Sequence, residues 1–220
     1  MRYPVLATDY DGTLAAMGRV DESTWTALAR WKATGRRVVL VTGRELGELL
    51  EVCPDLGPFD LCVLENGALL YRPADGVETP LAPRPPDGFA EALASRGVGP
   101  ISVGRAIVAT WEPHRSAIEG VLASMGLDLR VIPNKRALMI LPPGVDKASG
   151  LLAALGALGL GPGDAVGVGD AENDLAMLDL CGLAVAVANA LPAVKARAEL
   201  VTLAERGAGV AELIDSLLGS

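Results

Sequence analysis

The chain has 220 residues, half of them apolar, with 27 Asp or Glu against 19 Lys or Arg and a net charge of −8. That is enough apolar material for a substantial core in one or two domains. The acidic balance argues against sequence-independent nucleic-acid binding. No apolar stretch reaches the roughly 18 residues of a membrane span, so none is expected.

Three cysteines, Cys53, Cys62 and Cys181, lie far apart without a C-x-x-C pair. An odd, sparse count in apolar surroundings predicts reduced, buried thiols in a cytoplasmic protein, not catalytic ones. The N-terminus runs straight into a strand, without the basic run and apolar segment of a secretory signal.

The first element predicted is a buried strand, Val5-Leu6-Ala7-Thr8, running into Asp9-Tyr10-Asp11-Gly12-Thr13. Two carboxylates spaced i, i+2 then stand at a strand's carboxyl end, where open α/β sheets place their ligands. Alternation aims the two side chains differently, and Gly12 lets the chain turn sharply. Asp-Gly is also a common turn signal, so an acidic turn is the plain alternative.

Asp21 to Thr24 reads as a helix start, with Trp25, Leu28 and Ala29 at helical spacing and Gly35 ending the helix. A buried strand over 38–41 follows, and Thr42-Gly43-Arg44 opens a second helix holding Leu46, Leu49 and Leu50. A third strand over 61–64 reaches Glu65-Asn66-Gly67, a tight-turn signal, with 69–71 returning as a hairpin arm. Strands alternating with helices imply a parallel sheet with helices on both faces.

Pro80, Pro83, Pro85 and Pro86 crowd one short stretch, which reads as a linker. Beyond it come a helix over 87–96, a strand over 106–111, a helix over 114–125 and strands over 128–132 and 137–141. Pro142-Pro143-Gly144 is the return linker. The expected organisation is therefore an α/β core from 1–82 and 144–220, with an inserted α+β unit at 83–143. A helix from about Asp146 presents Leu151, Leu152, Leu155 and Leu158. A strand over 165–168 ends at Asp170, a short strand covers 183–187, and helices follow near Pro192 and around Val210, Leu213, Ile214 and Leu217.

Four stretches in this order carry a resemblance. Asp9-Tyr10-Asp11-Gly12-Thr13 resembles the first motif of the haloacid dehalogenase superfamily of phosphohydrolases. The strand ending in Thr42-Gly43-Arg44 resembles the second, and Lys147 sits where the third has its lysine. Gly169-Asp170-Ala171-Glu172-Asn173-Asp174 resembles the fourth. The insertion between the second and third motifs is similar to the cap of subfamily IIB, which implies a Rossmann-like core with a small α+β cap.

The resemblance implies an Mg²⁺-dependent phosphatase acting on a small phosphorylated metabolite, as a monomer or homodimer. It assigns Asp9 as nucleophile and metal ligand. Asp11 is assigned as acid/base, with its backbone carbonyl on the metal. Asp170 and Asp174 would complete the metal site, and Thr42, Gly43, Lys147 and Asn173 would hold the phosphate. The residues themselves suit these roles. Three carboxylates converging without bases call for a cation, and oxygen-only ligands suit Mg²⁺. A hydroxyl and backbone N–H groups at Thr42 suit phosphoryl oxygens, and Lys147 offsets developing negative charge.

Plainer readings stand beside these. Asp170 and Asp174 could simply cap a helix, Lys147 could be a solvated surface lysine, and Arg44 could form a structural ion pair or touch substrate. His114 reads as a surface or capping residue and Trp25 and Trp31 as packing, while Trp111 could face substrate. Residues 83–143 carry seven Arg or Lys against five Asp or Glu, a balance of 7 − 5 = +2. Arg105, Arg130, Lys135 and Arg136 are the candidates to meet an acidic or polyhydroxylated substrate. A phosphomutase of the same superfamily is the alternative activity. A non-catalytic nucleotide-binding module is a remote one, since Gly167-x-Gly169-x-x-Glu172 lacks the third glycine of a dinucleotide fingerprint.

Overall fold

Val5, Leu6, Ala7 and Thr8 are wholly buried, and the strand they form is the centre of the molecule. The computed structural model describes residues 2–134 and 136–219. Its elements begin with β1 (Val5–Thr8), α1 (Glu22–Ala33), β2 (Arg37–Val41), α2 (Leu46–Val52), β3 (Leu61–Leu64), β4 (Leu69–Arg72) and β5 (Val77–Pro80). An inserted group follows: α3 (Phe89–Ser95), β6 (Ser102–Val103), β7 (Val108–Trp111), α4 (Arg115–Met125), β8 (Arg130–Asn134) and β9 (Ala137–Leu141). The chain then continues through α5 (Lys147–Ala157), β10 (Ala165–Gly169), α6 (Leu175–Leu180), β11 (Leu183–Ala186), α7 (Pro192–Arg197), β12 (Leu200–Val201) and α8 (Arg206–Leu218).

The large sheet has the order β12-β11-β10-β1-β2-β3-β4-β5. From β12 to β3 neighbouring strands are parallel, and β4 and β5 add an antiparallel edge. Helices cover both faces of this Rossmann-like sheet, and strands buried on both faces explain the unbroken apolar runs of β1, β2 and β10. Asp21 starts α1 by accepting the Thr24 N–H at 2.8 Å, as its sequence position predicts. Chain order runs outward from β1 in two directions, through β2 and β3 on one side and β10 on the other. That reversal opens a crevice at the strand ends between β1 and β10.

The second sheet, β6-β7-β9-β8, is antiparallel. One of its faces, with Val108, Leu138 and Ile140, packs on Phe89 and Leu93 of α3 and on Ile118 and Val121 of α4. Alternation sends Ala109, Trp111, Ala137 and Met139 to the opposite face. Ala68 of the large-sheet unit joins Ala106, Ile107, Met139 and Leu141 in an apolar seam between the two units.

Several local expectations need correction. Pro80 ends strand β5 instead of belonging to a linker, which an edge position allows. β8 runs on through Pro133 and Asn134, because that edge needs no ladder N–H from proline. The second helix starts at Leu46 behind Glu45, four residues past Thr42, so Thr42 lies in a loop and not at a helix start. Leu152 is half-exposed while Leu151 and Leu155 are buried, and Leu50 also faces outward. The short strands β6 and β12 have no counterpart in the sequence pattern.

Candidate active site

Three buried strands deliver the site. Asp9 directly follows β1, Thr42 follows β2 and Asp170 follows β10, and the parallel register pairs Thr8 with Val168 and with Leu40. The Asp9 N–H donates to the Val168 carbonyl at 3.0 Å, carrying the ladder to the edge of the crevice. Oxygens of Asp9, Asp170 and Asp174, all buried, lie within 4.8 Å of one another.

Lys147 enters this cluster from the first turn of α5, whose start is fixed by Asp146 accepting the Ser149 N–H at 2.8 Å. Its Nζ donates to Asp9 Oδ1 and to Asp174 Oδ1, each at 2.6 Å, and the side chain is 1% exposed. A solvated surface lysine is thereby excluded. Asp174 also accepts the N–H groups of Asp170 and Ala171 on Oδ2, each at 2.9 Å. These N–H groups lie ahead of Asp174 in the loop, and Asp174 makes no side-chain cap bond to α6, so its carboxylate serves the loop and the charged cluster and does not cap that helix.

One ammonium faces three carboxylates. Burial, the largest cause, pushes the Asp9 carboxyl up to about 7; Lys147 opposes this, while Asp174 and Asp170 add to it. For Lys147, burial acts to lower the pKa, but Asp174 and Asp9 outweigh it and the net shift is upward. A buried set of oxygen donors with surplus negative charge fits a hard divalent cation such as Mg²⁺.

Asp9, Asp11, Thr42 and Gly43 line a cleft of about 710 Å³ between the two sheets, together with Arg44, Trp111, Asn134, Arg136 and Met139. Met139 packs directly over Gly43. Asp11 points toward Arg44, which grips it with two hydrogen bonds of 2.6 and 2.8 Å. The ion-pair reading of Arg44 is thus the one the structure bears out. Thr42 is buried, and its hydroxyl oxygen accepts the Arg44 N–H at 3.2 Å.

Asn173 lies close by, but its amide donates to Asn66 Oδ1 at 3.0 Å. No hydrogen bond joins Asn173 to Lys147 among the described residues; Asp174 orients the lysine instead. Asn66 was missed by sequence reasoning because Asn-Gly carries an ordinary turn signal. Asn66 Nδ2 and Asn173 Oδ1 are buried without a partner, which is rare away from sites that receive a ligand or water.

The basic residues of the insertion divide. Arg105 pairs with Glu78 at 3.0 Å and Arg130 with Asp128 at 3.4 Å, and neither is among the residues lining the cleft. Arg136 lines the cleft, and Lys135 lies outside the described residues. His114 starts α4 and stands 3.0 Å from the Gly99 carbonyl. Trp31 is fully buried and Trp25 packs edge-on to Phe59, as packing residues do.

The sequence matches the haloacid dehalogenase-like hydrolase family over residues 6–81 and 125–214. A phosphoglycolate phosphatase of Halorubrum lacusprofundi is 32% identical over 209 residues, covering 90% of each chain. Among solved structures, a haloacid dehalogenase-like hydrolase from Bacteroides thetaiotaomicron has a TM-score of 0.83 at 20% identity, covering 98% of this chain and 99% of that one. A sugar phosphatase of haloacid dehalogenase subclass IIB has a TM-score of 0.81 at 20% identity over 98% of each chain. With three motifs at adjoining strand ends and Lys147 entering from the start of α5, the chain belongs to the haloacid dehalogenase-like hydrolases and is a phosphoric monoester hydrolase of that family.

Proposed function

We propose that the protein hydrolyses a small phosphate monoester, a phosphoglycolate-like acid or a sugar phosphate, through an aspartyl-phosphate on Asp9. The observation that carries this reading is the Lys147 ammonium set 2.6 Å from both Asp9 and Asp174 within a three-aspartate cluster. Asp9, the backbone carbonyl of Asp11, Asp170 and Asp174 are the candidate holders of Mg²⁺. Asp174's oxygens already accept three hydrogen bonds. Bound there, the ion would neutralise the phosphate dianion and polarise its oxygens.

Asp9 attacks phosphorus, and the bond to the ester oxygen breaks. Asp11 gives its proton to the departing alkoxide, then takes one from the water that attacks the aspartyl-phosphate, releasing phosphate and restoring Asp9. Thr42 and the backbone at Gly43 hold phosphoryl oxygens, and Lys147 offsets the charge that gathers on them. Asn173 has a lesser part, keeping the Asn66 amide in place beside that loop.

Residues 83–143 act as a cap over the core of 1–82 and 144–220, closing to exclude water once the ester is seated. On the cap side the ester's organic part meets Trp111, Asn134 and Arg136. That lining offers one cation, one amide and an aromatic face, suited to an acidic or polyhydroxylated group. The three free cysteines support a cytoplasmic setting. Among the described residues no helix is long and apolar enough to cross a membrane.

The test is phosphate release with Mg²⁺ from a panel of phosphoglycolate, hexose phosphates, an aryl phosphate and a phosphopeptide. Turnover of a small ester, abolished in Asp9→Asn, is the expected result. A clear preference for the phosphopeptide, or full activity in excess chelator, would overturn the reading.

A further inference from the structure

We infer that Glu65 is a positioning residue: its carboxylate docks the inserted unit onto the core and ties that docking to the groups around the phosphate. Its part in the reaction rests on the phosphatase reading; the docking itself does not.

Glu65 follows strand β3 in the large-sheet unit, yet its side chain reaches into the other unit and is 1% exposed. Oε1 accepts the Arg105 N–H at 2.8 Å, and Oε2 accepts those of Ala106 and Ile107 at 2.8 and 3.0 Å. Three successive backbone amides thus converge on one buried carboxylate, an anion-binding nest closed by a residue from across the seam. A buried charge is tolerable when its hydrogen bonds are met in this way. The nest leaves no space for a side chain at Gly104, where a Cβ would sit 2.7 Å from Oε2. Glu45 and Glu78 reach the same hairpin from the core, bonding Ser102 at 2.5 Å and Arg105 at 3.0 Å. Both are at the periphery, whereas Glu65 is enclosed.

The backbone that carries Glu65 is unusual. Glu65, Asn66 and Gly67 have φ of 51°, 56° and 110°, a left-handed run that non-glycine residues rarely adopt. Each residue of this turn is anchored to a different part of the site. The Glu65 N–H donates to the Arg44 carbonyl and the Asn66 N–H to the Thr42 carbonyl, both at 3.0 Å. Asn66 Oδ1 accepts from Asn173. Gly67 abuts the carbonyl of Asp146, the residue that caps the helix beginning with Lys147, so closely that a Cβ has no room. A shift of Glu65 toward or away from the hairpin therefore reaches the phosphate loop, Asn173 and the base of Lys147 through direct contacts.

The experiment is residue-resolved amide exchange on the full chain, paired with steady-state kinetics, for Glu65→Ala, Glu65→Gln and Gly104→Ala. In Glu65→Ala, exchange at residues 105–107 is expected to rise by about tenfold or more, as a local opening does. The kcat/KM on the best ester should fall by roughly 100-fold, the scale of a misplaced catalytic group, with kcat taking the larger share. Glu65→Gln keeps the length and one acceptor oxygen, so it should restore part of both. Gly104→Ala pushes the same amides off the carboxylate from the opposite side and should reproduce both effects, which keeps the test decisive if Glu65→Ala does not fold. Unchanged exchange at 105–107 overturns the docking. Faster exchange with wild-type kcat/KM overturns the tie to the reaction. If the wild-type chain turns over no ester, orthovanadate affinity replaces kinetics: about tenfold weaker binding in the variant is expected, and equal binding overturns the tie.

Discussion

Arg44 grips Asp11 with both arms of its guanidinium, Nε donating to Oδ2 at 2.6 Å and Nη2 to Oδ1 at 2.8 Å. The carboxyl proposed to move the proton is thereby aimed by a residue two positions beyond Thr42. A planar fork matches a carboxylate in a way an ammonium cannot. Arg44→Lys should lower kcat by about tenfold with a smaller change in KM, because the charge stays and the second hydrogen bond goes. Asp11→Asn should lose about 10²–10⁴-fold in kcat, the usual worth of proton transfer, with an unchanged melting temperature. Wild-type rates in Asp11→Asn would reassign the acid/base role.

Removing Lys147 leaves Asp9 and Asp174 facing each other in a buried site. Breaking a buried ion pair from one side typically costs about 3–5 kcal/mol. Lys147→Met should show a loss of that order in urea unfolding without metal. Adding Mg²⁺ should recover part of the stability, since a cation then shares the two carboxylates. Turnover should drop by about 10²–10³-fold even with metal, the usual effect of deleting one charge-stabilising donor.

A ligand that binds only the folded chain raises its melting temperature by mass action. Mg²⁺ should therefore raise the melting temperature of the wild-type protein, and Asp170→Asn should abolish most of that shift. Calorimetric titration gives the matching loss of affinity. An equal shift in Asp170→Asn and wild type would remove Asp170 from the metal site.

Much of this site was legible because each motif is local. Asp9, Thr42 and Asp170 each follow a short buried strand, and a parallel sheet brings such ends together whatever the intervening chain does. Lys147 was legible through its place in the motif order, though only the fold reveals its burial. Glu65 and Asn66 were not legible. Their partners are backbone amides about 40 residues away and an amide about 107 residues away, and Glu-Asn-Gly alone reads as an ordinary turn. The summed charge of residues 83–143 misdirected attention for a related reason. Arg105 and Arg130 lie outside the cleft, in exposed pairs with Glu78 and Asp128, and a segment's net charge says nothing about where its side chains stand. Strands β6 and β12, two residues each, are too short to carry a period.

All three thiols are free, and burial pushes each above its ordinary pKa, Cys181 to about 12. The thiolate is the reactive form. The folded protein should therefore react slowly with an aromatic disulfide reagent near pH 8, and unfolding should release three equivalents. One fast-reacting thiol in the native state would place a reactive cysteine where none is expected.

The two rims of the large sheet are both blunted. β12 offers only two residues, and β5 is a short, largely exposed strand that carries Glu78 and closes on Pro80. A free sheet rim is a template on which another chain can add a strand, and shortness, charge and proline each spoil that template. Edge-to-edge joining of two such sheets is therefore hindered at the β5 rim by charge and proline, and at the β12 rim by shortness alone, where Leu200 and Val201 stay exposed.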